Sequence, residues 1–179
     1  MMVVRPPVLV LPGLYNSGPK HWQTIWERDH PGFRRVEQED WETPSCSDWV
    51  ATLQRALTRT PGAVLVGHSS ACALVAHWAR LHPHALVRGA LLVAPSDPEG
   101  VSYPKGPTGF APMPMDRLPF PSIVVASTND VYVSEERAAA FARAWGSRLV
   151  SIGEAGHING DSGLGGWPAG LALLEQLRD

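Results

Sequence analysis

The sequence predicts a three-layer α/β domain with a mainly parallel, six-stranded sheet between two layers of helices. Three observations carry that reading. Short apolar runs alternate with amphipathic helical stretches through the whole chain. Val8–Leu11 and Ala63–Val66 are continuously apolar, and Val87–Ala94 is apolar but for Arg88, as strands buried on both faces are. Proline and glycine close most segments where a strand or helix would have to stop.

In order, Val8–Leu11 is the first strand, ended by Pro12-Gly13, and residues 14–19 form a loop. A short helix over His21–Arg28 places Trp22, Ile25 and Trp26 on one face. Arg34–Glu37 is a polar second strand suited to a sheet edge. Ser47 is the expected cap of a helix over Asp48–Thr60, with Trp49, Val50, Leu53, Ala56 and Leu57 as its apolar stripe. Strand Ala63–Val66 turns at once into a helix reaching about Leu81, and strand Val87–Ala94 follows. Residues 99–121 carry Pro104, Pro107, Pro112, Pro114, Pro119 and Pro121 and read as an irregular surface excursion, too short for a folded cap domain. Ser122–Ala126 is the next strand. Ser134 caps a helix over Glu135–Trp145, Arg148–Ile152 is the last strand, and Trp167 or Pro168 opens a final helix to about Leu177, with Leu171, Leu174 and Leu177 facing in.

Composition narrows the function classes. A chain of 179 residues, 44% hydrophobic and 18% charged, is sized for a single domain over 1–179 with a real core. A net charge of −2 without a Lys/Arg cluster gives no footprint for nucleic acid. The run Val8–Leu11 is far too short to span a membrane, and nothing before it has the shape of a signal peptide, so a cytoplasmic protein is expected. Cys46 and Cys72 lack metal-ligand or C-x-x-C spacing, and neither a disulfide framework nor a metal is expected.

The chemistry-bearing stretch is Gly67-His68-Ser69-Ser70-Ala71, between a buried strand and an apolar helix with Leu74, Val75 and Trp78 at helical spacing. Strand, tight turn with Ser at the apex, and helix make the G-x-S-x-G nucleophile elbow of α/β-hydrolases, with Ala71 in place of the second glycine. The plain structural role for such a serine is to cap the helix. Two other strand ends tip the balance toward catalysis. Asp130 follows the strand ending at Ala126, and His157 follows the last strand, so nucleophile, acid and base occur in the chain order of that fold. Asp97, also after a strand, is the competing acid, although Pro-Ser-Asp-Pro suits a plain turn. The backbone N–H groups of Leu14 and Ser70 are the candidate oxyanion donors, with Gly13 letting the chain bend inward.

Other residues read as structural. His68 is expected to point away from Ser69, and His77, His82 and His84 to lie at the surface. Gly160-Asp161-Ser162-Gly163 looks like the nucleophile segment of trypsin-type proteases, but an α/β pattern lacks that fold's two barrels, so the segment is expected to steady His157. Tyr15, Trp22 and Phe110 are candidate pocket walls, and Trp167 lies beside the His157 loop.

With these pieces placed, the chain resembles the small serine hydrolases typified by retinoblastoma-binding protein 9 and bacterial YdeN. The matching segments are Leu11-Pro12-Gly13 with Asn16-Ser17 and His21-Trp22; Gly67-His68-Ser69-Ser70; Pro95-Ser96-Asp97; and Ser127 to Asp130 with Tyr132-Val133-Ser134. The match ends with Gly156-His157-Ile158-Asn159 running on through Ser162-Gly163-Leu164-Gly165 to Trp167-Pro168. The resemblance implies a minimal α/β-hydrolase without a large cap, a sheet order of 2-1-3-4-5-6, and Ser69, Asp130 and His157 as a triad. Val131 departs from the proline common after the acid. No Leu-x-Cys-x-Glu segment surrounds Cys46 or Cys72, so binding to the retinoblastoma protein is not implied. The expected activity is cleavage of a small ester, thioester or amide, on a small-molecule or peptide acyl substrate, with no cofactor and no membrane partner. A catalytically weak binding module, or an acyltransferase, is the alternative on the same fold.

Overall fold

The strands line up in the order β2-β1-β3-β4-β5-β6, and every neighbouring pair is parallel. The computed structural model describes residues 5–179. The strands are β1 (Val8–Leu11), β2 (Phe33–Arg35), β3 (Ala63–His68), β4 (Val87–Val93), β5 (Ser122–Ala126) and β6 (Arg148–Ser151). Five α-helices join them: α1 (Trp22–Asp29), α2 (Cys46–Arg59), α3 (Ser70–Leu81), α4 (Glu135–Trp145) and α5 (Pro168–Arg178). A 3₁₀ turn spans Gly160–Ser162.

Side chains alternate across each strand, and the two faces feed separate cores. Leu9, Leu11, Leu65, Ala90, Leu92, Val124 and Ala126 pack against α2, α3 and α4 through Trp49, Leu53, Trp78, Phe141 and Trp145. Val8, Val10, Val64, Val66, Leu91, Val93 and Ile123 pack on the opposite face against α1 and α5, through Trp22, Trp26 and Leu174. Truncating any one of these buried tryptophans would cost about 3–5 kcal/mol.

Sequence reading and structure part company at several places. Ser45, not Ser47, caps α2: its hydroxyl accepts from Asp48 N, and Cys46 N donates to Thr108 O, which starts the helix at Cys46. β3 continues through Gly67 and His68, because β4 pairs with both. The 99–121 excursion carries no helix or regular strand, yet Phe110, Met113, Leu118 and Phe120 are buried in the α2–α3–α4 core. His77 Nε2 reaches the Phe110 carbonyl, so this histidine ties the excursion down instead of lying free at the surface. Of the inward residues expected on α5, Leu174 is fully buried and Leu171 and Leu177 only partly. Among the described residues no helix is long and apolar enough to cross a membrane.

Candidate active site

The parallel register brings the carboxyl ends of β1, β3, β4, β5 and the loop after β6 to one edge of the sheet. At the end of β3 the chain turns within one residue. Ser69 has φ 61° and ψ −124°, a conformation that costs an L residue on the order of 1–3 kcal/mol. Neighbouring strands hold it there: Ser69 N donates to Val93 O at 3.0 Å, and Cys72 N closes a turn onto Ser69 O. The turn fits because its neighbours are small. A Cβ on Gly67 would touch the Ala71 backbone at 3.4 Å, and one on Gly13 would lie 2.8 Å from both His68 O and Ser69 Cβ. Gly13 therefore serves by lacking a side chain; its φ lies outside the left-handed region, so no special bend is required of it.

Three polar side chains meet at this edge. Ser69 Oγ is 2.8 Å from His157 Nε2. His157 Nδ1 lies 2.9 and 3.0 Å from the two oxygens of Asp130, whose carboxylate is shielded from solvent. With Nδ1 facing a carboxylate, the ring proton sits on Nδ1 and Nε2 is free to accept. Asp130 is oriented in turn by Tyr132 N, which donates to its Oδ1 at 2.9 Å. Asp97, the competing acid, turns away: its carboxylate accepts from Arg137 Nε at 2.7 Å and Nη2 at 3.0 Å. This makes it a clamp between the β4 loop and α4.

The loop carrying His157 is held from several sides. Ala155 N donates to Ser127 Oγ, Gly156 N to Asn129 Oδ1, and Ser162 Oγ to Ala155 O. The Asn159 and Ser162 side chains cap the 3₁₀ turn reciprocally, so the Gly160–Gly163 segment steadies this loop as expected. His68, inside the elbow, directs Nε2 at the His157 carbonyl, 2.8 Å away. Burial, then the nearby His21 and His157, push the His68 ring well below the ordinary imidazole range, so it is neutral and donates from Nε2. His21 stands behind it, edge-on at 4.7 Å. Its Nδ1 accepts from Gln23 N, capping α1. Burial first, then Arg35 and His157, lower its pKa to about 4.

A cavity of about 430 Å³ opens over Ser69 and His157. Leu14 and Ser70 line it, and neither N–H donates to a backbone carbonyl among the described residues. Of the three expected walls only Tyr15 is one. Trp22 is buried, donates Nε1 to Ile158 O at 2.8 Å, and supports the His157 loop from beneath. Phe110 lies in the α2–α3–α4 core, edge-on to Trp49 at 5.5 Å. Leu14, Pro19, Pro104 and Tyr132 make the apolar walls instead. Tyr103, next to Pro104, bonds Ser70 Oγ at 2.9 Å and fixes the excursion to the elbow helix.

One further hydroxyl, absent from the expected set, touches the centre. Ser96 Oγ lies 2.7 Å from Ser69 Oγ. The sequence signal for it was its place at the carboxyl end of a buried strand. Cys46 and Cys72 are free and buried, and burial pushes the Cys46 thiol up to about 12 and that of Cys72 higher still, so neither offers a thiolate. Among the described residues no group of three His, Cys, Asp or Glu side chains converges to hold a metal.

A family model described as serine hydrolase matches residues 8–176. The fold is similar to that of a YdeN-like hydrolase from Pectobacterium atrosepticum, at 33% identity and a TM-score of 0.84, covering 98% of this chain and 94% of that one. The YdeN protein of B. subtilis matches at 18% identity and a TM-score of 0.72, over 96% and 98% of the two chains. A thermophilic esterase from Thermogutta terrifontis matches at 18% identity and a TM-score of 0.69, over 97% and 91%. No curated protein matches by sequence. The architecture is that of the α/β-hydrolases, reduced among the described residues to a six-stranded sheet and five α-helices.

Proposed function

The chain belongs to the serine hydrolase family, and we propose that it cleaves a small ester, thioester or amide through an acyl-enzyme on Ser69, with His157 as base and Asp130 as its orienting acid. The observation that carries this reading is the unbroken contact series from Asp130 through His157 to Ser69 Oγ, each link within 3.0 Å, at a strained elbow. Ser69 Oγ attacks the carbonyl carbon and its proton passes to His157 Nε2. Asp130 stabilises the imidazolium that results. The N–H groups of Leu14 and Ser70 receive the oxyanion, each worth about 3–4 kcal/mol if removal behaves as at other such sites. The leaving group departs with the Nε2 proton, and water then repeats the sequence to free Ser69.

The cavity limits the acyl group. At about 430 Å³ it sits near the lower end of small-ligand sites. Its walls are largely apolar, so a short, uncharged acyl chain fits best. The test is mass spectrometry after treatment with a fluorophosphonate. One label per chain on Ser69, lost in His157→Ala, is the expected result, and an unlabelled but folded protein would remove this reading.

A further inference from the structure

We infer that Ser96 is a further catalytic residue, whose hydroxyl donates to Ser69 Oγ and speeds release of the acyl group more than its capture. The inference rests on the serine hydrolase reading above. It begins from proton counting. Ser69 has one hydroxyl proton, and His157 Nε2, an acceptor because Nδ1 faces Asp130, takes it. The 2.7 Å contact between Ser69 Oγ and Ser96 Oγ must therefore run the other way, with Ser96 as donor.

The chain holds Ser96 in place on both sides. β4 ends at Val93, and Ala94 follows at φ 49°, a left-handed conformation an alanine adopts only under constraint. Pro95 fixes the next step of the backbone. Beyond Ser96, Asp97 N donates to Tyr132 O, and the Asp97 carboxylate is clamped by Arg137. Ser96 itself is 3% exposed and lines the cavity floor beside Ser69. A serine needed only to fill space would not require a strained residue before it and an ion pair after it.

The effect on the reaction follows from what Oγ is at each stage. In the free enzyme Oγ is a hydroxyl oxygen and a good acceptor. On acylation a lone pair of Oγ forms the bond to carbon, the carbonyl π pair moves to its oxygen, and the Oγ proton goes to His157. The oxyanion pair then remakes the carbonyl as the leaving group departs with its bonding pair and takes the Nε2 proton. In the acyl-enzyme Oγ is the bridging oxygen of an ester, a poor acceptor, so the Ser96 bond weakens. In deacylation water adds to the acyl carbon and yields a proton to Nε2. The oxyanion pair then remakes the carbonyl and the carbon–Oγ bond breaks with its pair returning to Oγ, which takes the proton back from Nε2 as the free acid leaves. Negative charge grows on Oγ in that last step, where the Ser96 hydroxyl meets it with a charge-assisted bond. The same hydroxyl meets charge on Oγ during attack, but there the bond already exists in the free enzyme, so the donor gains less in capture than in release from the acyl-enzyme, where the bond has to be remade.

The experiment is Ser96→Ala assayed with p-nitrophenyl acetate. Loss of one hydrogen bond to a developing charge predicts kcat lower by about ten- to a hundredfold. KM should fall in proportion and kcat/KM stay within about threefold, with a burst of one p-nitrophenol per chain and acetyl-Ser69 seen by mass spectrometry. Ser96→Cys, a weaker donor of similar size, should give an intermediate burst. Fluorophosphonate labelling of Ser69 in each variant reports that the site is still assembled. A fall in kcat/KM at constant KM, with no acetyl-enzyme, would overturn the inference, as would unchanged kinetics. Wild-type protein that neither takes the label nor turns over the ester would instead remove the serine hydrolase reading and this inference with it.

Discussion

His68 Nε2 donates to the carbonyl oxygen of His157 across 2.8 Å, so the residue just before the elbow serine holds the backbone of the loop that carries His157. Strand β3 thus sets two of the three convergent side chains, Ser69 through the chain and His157 through this bond. Replacing His68 with Phe keeps an aromatic ring and removes the donor, leaving a half-buried carbonyl unpaired. That should lower stability by about 1–3 kcal/mol. A displacement of His157 on the ångström scale predicts kcat lower by about a hundredfold. Steady-state assays beside urea titrations check both effects, and a variant with full activity would mean that the other ties of this loop suffice.

Removing the Ser69 hydroxyl is the sharpest change at the centre. Ser69→Ala should reduce turnover by roughly 10⁴- to 10⁶-fold, and His157→Ala by a comparable factor, because the two act as a unit. The double variant should then be hardly worse than either single one. Additive losses in an ester hydrolysis assay would show that the two side chains do not cooperate in one step.

Gly13 tests the packing behind the elbow. A methyl here would lie 2.8 Å from His68 O and Ser69 Cβ, and both atoms belong to a strained turn that cannot easily retreat. Gly13→Ala should therefore destabilise by about 1–3 kcal/mol, as overpacking does. It should also slow fluorophosphonate labelling of Ser69 more than it lowers the denaturation midpoint would suggest. Labelling at the wild-type rate would show that the turn can shift without harm.

The layered sheet was readable because buried parallel strands leave continuous apolar runs, and Val8–Leu11 and Ser122–Ala126 match theirs to the residue. That Ser69, Asp130 and His157 meet at one edge was readable because each lies within a few residues beyond the carboxyl end of a strand. What escaped is whatever depends on three-dimensional neighbours. Trp22 and Phe110 looked like pocket walls because large aromatics beside loops can be walls or core, and only the side of the sheet they meet decides. The same holds for Asp97, which no local pattern connects to Arg137 on α4. Ser45 and Ser47 were equally good caps by type, and the contact of Thr108 with Cys46 selected the earlier one. The roles of His68 and Ser96 exist only as contacts between separate strand ends.

Two buried neutral imidazoles make stability depend on acidity. His21 has its pKa lowered from 6.5 to about 4, and His68 is lowered as well, both chiefly by burial. Above pH 6.5 both rings are neutral whether the chain is folded or not, and they contribute no pH dependence. As pH falls below 6.5 the unfolded chain takes up protons that the folded chain refuses, so stability drops. For His21 the loss runs from about pH 6.5 down to about pH 4, at up to about 1.4 kcal/mol per pH unit. Carboxylates add their own slope at the acid end, so the comparison has to be made between variants. His21→Asn keeps a side-chain acceptor at the α1 cap and removes the titration. Urea unfolding free energies at pH 7 and pH 5 should therefore differ by about 1–2 kcal/mol less in the variant than in the wild type. Equal differences would mean that His21 is protonated in the folded protein at pH 5, against its burial and its neighbours Arg35 and His157.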